Sequence, residues 1–497
     1  MSMTSGLRRG GGLAGAIRSR LWPPETATHA RVHDGLTVFA PMWAVAMLFS
    51  LADNPSTFIG RDGPALFLVG WTAVLAAVAL VIRPRLTWLL GLLAAALILR
   101  YALLAPVASN NKTITLFMNT GILLVLAQAA WSQAEPRREL VYQHLRVIAR
   151  GLLAVMYFYG IFHKINTDFL DPNVSCAVML YAPLARPFGL DGNLFGRYLA
   201  IYSTFIIEAI AIAALYWRRW FAVGLILALV FHYIIPISAY SWYMDFSCLV
   251  FALYALTMPP EAQRDFYRSV AGPLRRVRGW FGNAALPLAG GLLVAAAWVS
   301  AMIVATDYPE RPLRMFYHST FIMVWAMFGA VASVLMTRAA LEHLPYRGAA
   351  QPRQPLWLHL IPLALFVACT SPYIGLKTES SINMFSNLHT EGGETNHLLF
   401  ARPPYLFGYK DDVVEILDSS HPYLLHLKAR NERMVLYALK DVLRRYREHW
   451  VTYRLNGLVE EEVTHASFPA FEQPSLLERA FLIFKTVDVR RPKVCTH

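Results

Sequence analysis

Apolar residues fill most of this chain in long unbroken stretches, separated by short polar segments. Many stretches approach the length at which a helix crosses a bilayer core of ~30 Å. Hydropathy marks about eleven of them, at 36–52, 64–82, 86–107, 113–131, 145–163, 198–217, 220–237, 241–258, 285–305, 318–337 and 356–372. The pattern predicts an all-α polytopic membrane helical bundle. After residue 371 it changes. The stretch "SPYIGLKTESSINMFSNLHTEGGETNHLLF" is polar and turn-rich, with Gly392 and Gly393 as a hinge. Short β-like runs follow at 396–401 and 412–417, then a helical pattern over 431–450. A hairpin is expected about Asn456-Gly457, a dipeptide suited to a type I′ turn, and a last helical run covers 475–485. Residues 373–497 are thus expected to form a small α+β domain capping the helix ends.

Composition agrees with the pattern. The 497 residues are 56% hydrophobic and 15% charged, with a mean hydropathy of +0.41, too apolar for an ordinary soluble chain. The net charge of +13 raises the question of nucleic acid, but its distribution answers differently. Arginines precede the first apolar run and follow every second one (Arg83 and Arg85, Arg137 and Arg138, Arg218 and Arg219), and five more lie at 264–278. The alternate loops carry few cations. This asymmetry is the positive-inside pattern. It predicts a cytoplasmic N-terminus and, with eleven spans, an extracytoplasmic C-terminal domain, and it excludes a nucleic-acid footprint.

The remaining divisions follow. Residues 1–35 form a basic, glycine-rich arm; 36–258 a transmembrane core of about eight spans; 259–284 a basic segment along the inner headgroups; and 285–372 three further spans. The first span reads as a retained anchor, since it lacks a small-residue cleavage site. Cys176, Cys369 and Cys495 fall at or beyond the outer face, where any two can form a bridge; Cys248 does not.

Several polar groups gather at helix ends predicted to face outward. They are Asn110, Asn111 and Lys112; His163 and Lys164, followed by Asp168; His232; and Trp242, Tyr243 and Asp245. Ionisable residues in spans are functional candidates. Each also has a structural explanation: Lys164 as a C-terminal, snorkelling cation, His163 as filler on another helix face, and His232 as an interhelical hydrogen-bonding residue. Glu208, within an apolar run, needs a partner or a proton, and Arg100 is a candidate partner. For Lys164 the chemical reading is sharper. Burial in an apolar pocket favours the neutral amine, which can act as a general base on a lipophilic substrate arriving from the bilayer.

"YFYGIFHKINTDF" resembles the lysine motif of the vitamin K-dependent gamma-carboxylases and their bacterial relatives, the HTTM (horizontally transferred transmembrane) domain proteins. "VFHYIIPISAYSWYMDFSCLVFALYALTMPP" is similar to that family's later histidine-containing helix pair. "NNKTITLFMNTGILLVLAQAAW" resembles a segment beginning Asn-Asn-His in the animal enzymes, and "MFSNLHTEGGETNHLL" one of the bacterial proteins. The resemblance covers roughly residues 30–260. It implies Lys164 as the base that deprotonates a reduced quinone of vitamin K type, with oxygen and CO2 as co-reactants, and His232 beside it. Asn110, Asn111 and Lys112 would line the mouth, and His163, Asp168, Trp242, Tyr243 and Asp245 would border the substrate. Lys112 departs from the pattern: it stands where the animal enzymes have histidine, and an ammonium cannot accept a hydrogen bond as imidazole can. The resemblance therefore supports the fold and the location of the site better than it supports carboxylation.

Two further functions use the same residues. One is a non-enzymatic membrane protein that binds lipid or a partner protein through its cap, with Lys164 as an interface anchor. The other is a transporter with Glu208, Arg100 and Asp245 as a relay, although no inverted repeat is visible. His389, Glu391, Glu394 and His397 match no standard metal motif; a solvated hairpin is expected there, and no metal.

Overall fold

The computed structural model describes residues 35–52, 54–132, 137–217, 219–238, 243–281, 311–343, 354–404, 406–469, 472–489 and 492–495. Residues 1–34 of the N-terminal arm, the run at 285–305 and Trp242 lie outside the described residues. Seven described helices are long and apolar enough to cross a membrane. They are α1 (Gly35–Ala52), α2 (Pro64–Ile82), α3 (Thr87–Leu104), α4 (Asn110–Trp131), α5 (Arg137–Phe162), α7 (Leu194–Tyr216) and the Ile322–Leu341 part of α11 (Arg311–Leu341). Between them come α6 (Cys176–Ala185), α8 (Phe221–Ile237), α9 (Met244–Thr257) and α10 (Pro260–Phe281), and α12 (Leu360–Ala368) follows. The apolar helices α8 and α9, and the apolar stretch Leu356–Ala368, are shorter than the seven.

Local chemistry explains where the helices differ from the hydropathy runs. The third run ends early because Pro106 follows Ala105 and cannot continue a helix. The fourth begins three residues early, at Asn110, because Ser109 Oγ accepts from the Lys112 amide as an N-cap. The run at 356–372 is broken into a 3-10 turn at Leu356–His359, α12 and a short helix at Ser371–Ile374. The helix α6 falls in a loop where no element was expected.

Helix α9 is buried at every position. A helix apolar all round belongs at the centre of a bundle, and α9 packs against α1 and α5 there. Helices α7 and α8 form a tight hairpin. Gly224 makes their approach possible: a Cβ there would sit 2.6 Å from the backbone nitrogen of Leu215.

The C-terminal region contains a five-stranded antiparallel sheet ordered β4-β3-β1-β2-β5, with β1 Val413–Ser419, β2 Glu432–Val435, β3 Val451–Leu455, β4 Leu458–Val463 and β5 Val487–Asp488. Helices α13 (Pro422–Ala429) and α14 (Leu436–Arg445) bury Leu424, Leu427, Leu439 and Leu443 with Val414 and Ile416 of β1. The hairpin about Asn456-Gly457 forms as expected, with φ of 51° and 87°.

Two expectations are corrected. The run at 431–450 is not one helix: Asn431 turns left-handed at φ 54°, and the next four residues form β2, of which Arg433, Met434 and Val435 pair with β1, before α14 begins. The run at 396–401 is not a strand of the sheet. Its backbone bonds go to the segment that follows α5 instead, as Leu398 N to Ile165 O and Thr167 N to Asn396 O, leaving an isolated bridge between Asn166 and His397.

Candidate functional site

A cavity of about 360 Å³ lies between α5, α6, α7 and α8, closed on one side by residues 382–385. Its size is at the lower end of the range for small-molecule sites. The walls are mostly aliphatic and aromatic; the polar side chains include Lys164, Glu208, His232, Tyr157, Ser203 and Thr204.

The sequence places these groups by helical spacing. Tyr157 and Gly160 share one face of α5, and Lys164 follows just past the helix end. On α7 the cavity wall includes Gly196, Ala200, Thr204 and Glu208, four residues apart, a stripe that descends from small to polar. Asn193 Oδ1 caps this helix by accepting from the Gly196 amide at 3.0 Å.

The dominant interaction is an ion pair. Lys164 Nζ lies 2.5 Å from Glu208 Oε1, and both side chains are under 10% exposed (6% and 8%). In an apolar surrounding each charge alone would be costly, and each makes the other tolerable. The partner of Glu208 is thus Lys164 of the neighbouring helix end. Glu208 Oε2 is buried and makes no hydrogen bond among the described residues. His232 sits across the cavity wall with Nε2 3.4 Å from the Tyr157 hydroxyl, which in turn lies 2.5 Å from the Tyr254 hydroxyl. Its Nδ1 is buried with no hydrogen-bond partner among the described residues.

The structure therefore brings Lys164 and His232 to one cavity. The other sequence-derived candidates lie elsewhere or act through a neighbour. Asn110 Oδ1 accepts from the amides of Ile382 at 2.6 Å and Asn383 at 3.3 Å. It thus holds the loop that closes the cavity without lining it. Asn111 Nδ2 donates to Asp245 Oδ2, joining α4 to α9, and the Lys112 amide donates to Ser109 Oγ at the start of α4. His163 is stacked between Tyr159 and Tyr373, with Nδ1 3.1 Å from the Tyr373 hydroxyl. Asp168 accepts from Asn396 Nδ2 at 2.9 Å. Tyr243 packs edge-on against Phe385, itself a cavity residue.

The closing loop is unusual. Ser380, Ile382, Phe385 and Asn387 all take left-handed backbone conformations, with φ between 52° and 58°, at a cost of about 1–2 kcal/mol for each of the first three and less for the asparagine. Surrounding bonds impose this shape. Besides Asn110, Asn166 Nδ2 donates to Ser386 O at 2.6 Å, and Asn387 Oδ1 accepts from Cys176 N at 2.8 Å. Cys176 also forms a disulfide with Cys495, which ties the chain's end to α6.

The segment expected to be a solvated hairpin is largely buried. His389, Glu391 and His397 are each under 4% exposed, and only the tip at Gly392, Gly393 and Glu394 reaches the surface. The segment folds between the bundle and the sheet, where His397 Nε2 meets Phe162 O at 2.9 Å. Burial holds His389 well below the usual histidine range and lowers Lys410 to about 8. No group of three metal-ligating side chains occurs among the described residues.

Sequence reasoning missed Tyr157 as a wall residue and Glu208 as the partner of Lys164. The four-residue stripe ending at Glu208 was the available signal. No protein-family model, curated protein or solved structure matches the chain.

Proposed function

We propose that this chain is an HTTM-type integral membrane enzyme, related to the vitamin K-dependent gamma-carboxylases, that removes a proton from a lipophilic, quinol-like substrate. One observation carries the reading: a buried lysine, paired to a buried carboxylate, lines an apolar cavity large enough for a ring system and shares it with His232. Apolar walls suit the substrate's body. The charged pair suits an acidic hydroxyl whose anion would otherwise be unstable away from water. Exposed apolar residues at the cavity wall, including Leu184, Leu199 and Ile234, suit a substrate that arrives through the lipid.

In this reading the chain has about eleven spans, a cytoplasmic N-terminus and an extracytoplasmic C-terminal domain. The Cys176–Cys495 disulfide supports that side for the cap, since such bridges persist in oxidising compartments. In the same reading helix α10, arginine-rich in sequence, lies along the inner headgroups.

The test is turnover. Purified protein in lipid nanodiscs is given reduced naphthoquinone and oxygen, and epoxide is followed by chromatography. Wild type forms epoxide and Lys164→Ala does not; substantial turnover in a folded Lys164→Ala variant would overturn the reading. A second reading is favoured by the closed geometry of the same pair: Lys164–Glu208 as an interhelical clasp in a protein that binds lipid or a partner without chemistry. A folded wild type with no quinol turnover would favour it.

A further inference from the structure

The two oxygens of Glu208 are not equivalent. Oε1 accepts from Lys164 Nζ, whereas Oε2 is buried and has no hydrogen bond among the described residues. Leaving a carboxylate oxygen so placed is costly, and the ion pair alone gives no reason for it. Room has been left beside it: Gly160 lies opposite, where even a Cβ would remain 3.9 Å from Oε2. Both residues line the cavity. Lys164, in contrast, has its nitrogen turned to Oε1, and an ammonium has three donors and no acceptor.

Resting on the quinol reading above, we propose that Glu208, through Oε2, is the proton acceptor of this site, and that Lys164 is the cation that holds the substrate anion. In the step the substrate's acidic O–H bond breaks and an O–H bond forms at Oε2. The substrate oxygen keeps the electron pair. The site begins as ammonium and carboxylate beside a neutral substrate. It ends as ammonium and carboxylic acid beside an anion. Total charge is zero before and after, so no net charge appears in the low-dielectric cavity, and neither oxidant nor reductant is needed. The same assignment sets the substrate class: a phenol or enol, acidic enough to yield to a carboxylate, on an apolar body.

The experiment uses the full chain in lipid nanodiscs and an alkyl-tailed 4-nitrophenol as probe. Visible absorbance reports whether the bound probe is ionised, and infrared difference spectroscopy reports whether a carboxyl group has gained a proton. The expected result is bound nitrophenolate together with a new carboxylic-acid C=O band. The band is lost in Glu208→Gln, shifted in Glu208→Asp, and kept in Lys164→Arg, where the guanidinium preserves the charge. Nitrophenolate bound to wild type without a new carboxylic-acid band would overturn the proposal and return the role of base to Lys164. Probe that binds but stays neutral would overturn it as well. Failure of the probe to bind at all would instead remove the quinol reading, and this proposal with it. The wild-type spectra decide the matter even if a Glu208 variant fails to fold.

Discussion

Lys164, just past the end of α5, and Glu208, on α7 and 44 positions away in sequence, meet at 2.5 Å inside the protein. The pair fixes the end of α5 to the middle of α7. Removing one partner leaves the other charged and buried, which costs about 3–5 kcal/mol. Lys164→Met or Glu208→Leu alone should therefore lower the thermal unfolding midpoint in detergent markedly, while the double variant Lys164→Met/Glu208→Leu recovers most of the loss. A double variant as unstable as the sum of the singles would show that the two residues are not coupled.

Asn110 is predicted to act through the cavity-closing loop. Asn110→Ala removes the acceptor for the buried Ile382 amide, at a cost of about 1–3 kcal/mol. Hydrogen exchange measured by mass spectrometry should rise over residues 380–387, which include the left-handed positions, and stay unchanged in the sheet. Uniform exchange across that loop in both proteins would contradict the assignment.

The Cys176–Cys495 bridge spans 319 residues. Loss of such a bridge typically costs about 2–5 kcal/mol. Cys176→Ser, Cys495→Ser and the double variant should be destabilised equally, because each removes the same bond. If the double variant is clearly worse than either single, each cysteine contributes separately and the bridge is not the shared cause.

Lys410 gives a pH dependence outside the membrane helices. Its ammonium is buried, near Pro372 O and Thr390 Oγ1, and desolvation lowers it from 10.5 to about 8. Between these values the unfolded chain holds a proton that the folded chain has released, so stability rises with pH across that window. The full shift is worth on the order of 3 kcal/mol. Urea unfolding of the cap, followed from pH 8 towards 10.5, should show the rise, and Lys410→Met should flatten it. His389 acts in the same direction at lower pH: its imidazole is held neutral by burial, so stability falls as pH drops below its ordinary value of 6.5.

Apolar runs of helix length were legible because bilayer and bundle interior demand the same residue types, and run ends marked where Lys164 and His232 would sit. What the sequence did not carry was adjacency. Glu208 was visible as an unpaired carboxylate, yet Arg100 was as good a partner as Lys164 until α7 was known to lie beside α5. Asn110 looked like a mouth residue because its hydrogen-bond acceptor is polar; its real partners, the Ile382 and Asn383 amides, are 272 and 273 positions away. The segment at 378–397 misled for the same reason. Its polar residues suggested solvent, but they pair with one another and with the bundle, so all but the tip of the segment is largely buried despite its composition.

The central claim is that a lipophilic quinol-like molecule occupies the cavity beside Lys164. Photoaffinity labelling tests it most directly: a naphthoquinone carrying an alkyl tail and a diazirine is irradiated with the protein in nanodiscs, and labelled peptides are mapped by mass spectrometry. The account predicts label on α7 and α8 around Ala200, Thr204 and Phe231, lost on adding unlabelled quinone and lost in Ala200→Trp, which fills the space. Label spread evenly over lipid-facing helices, undiminished by competitor and indifferent to Ala200→Trp, would contradict it.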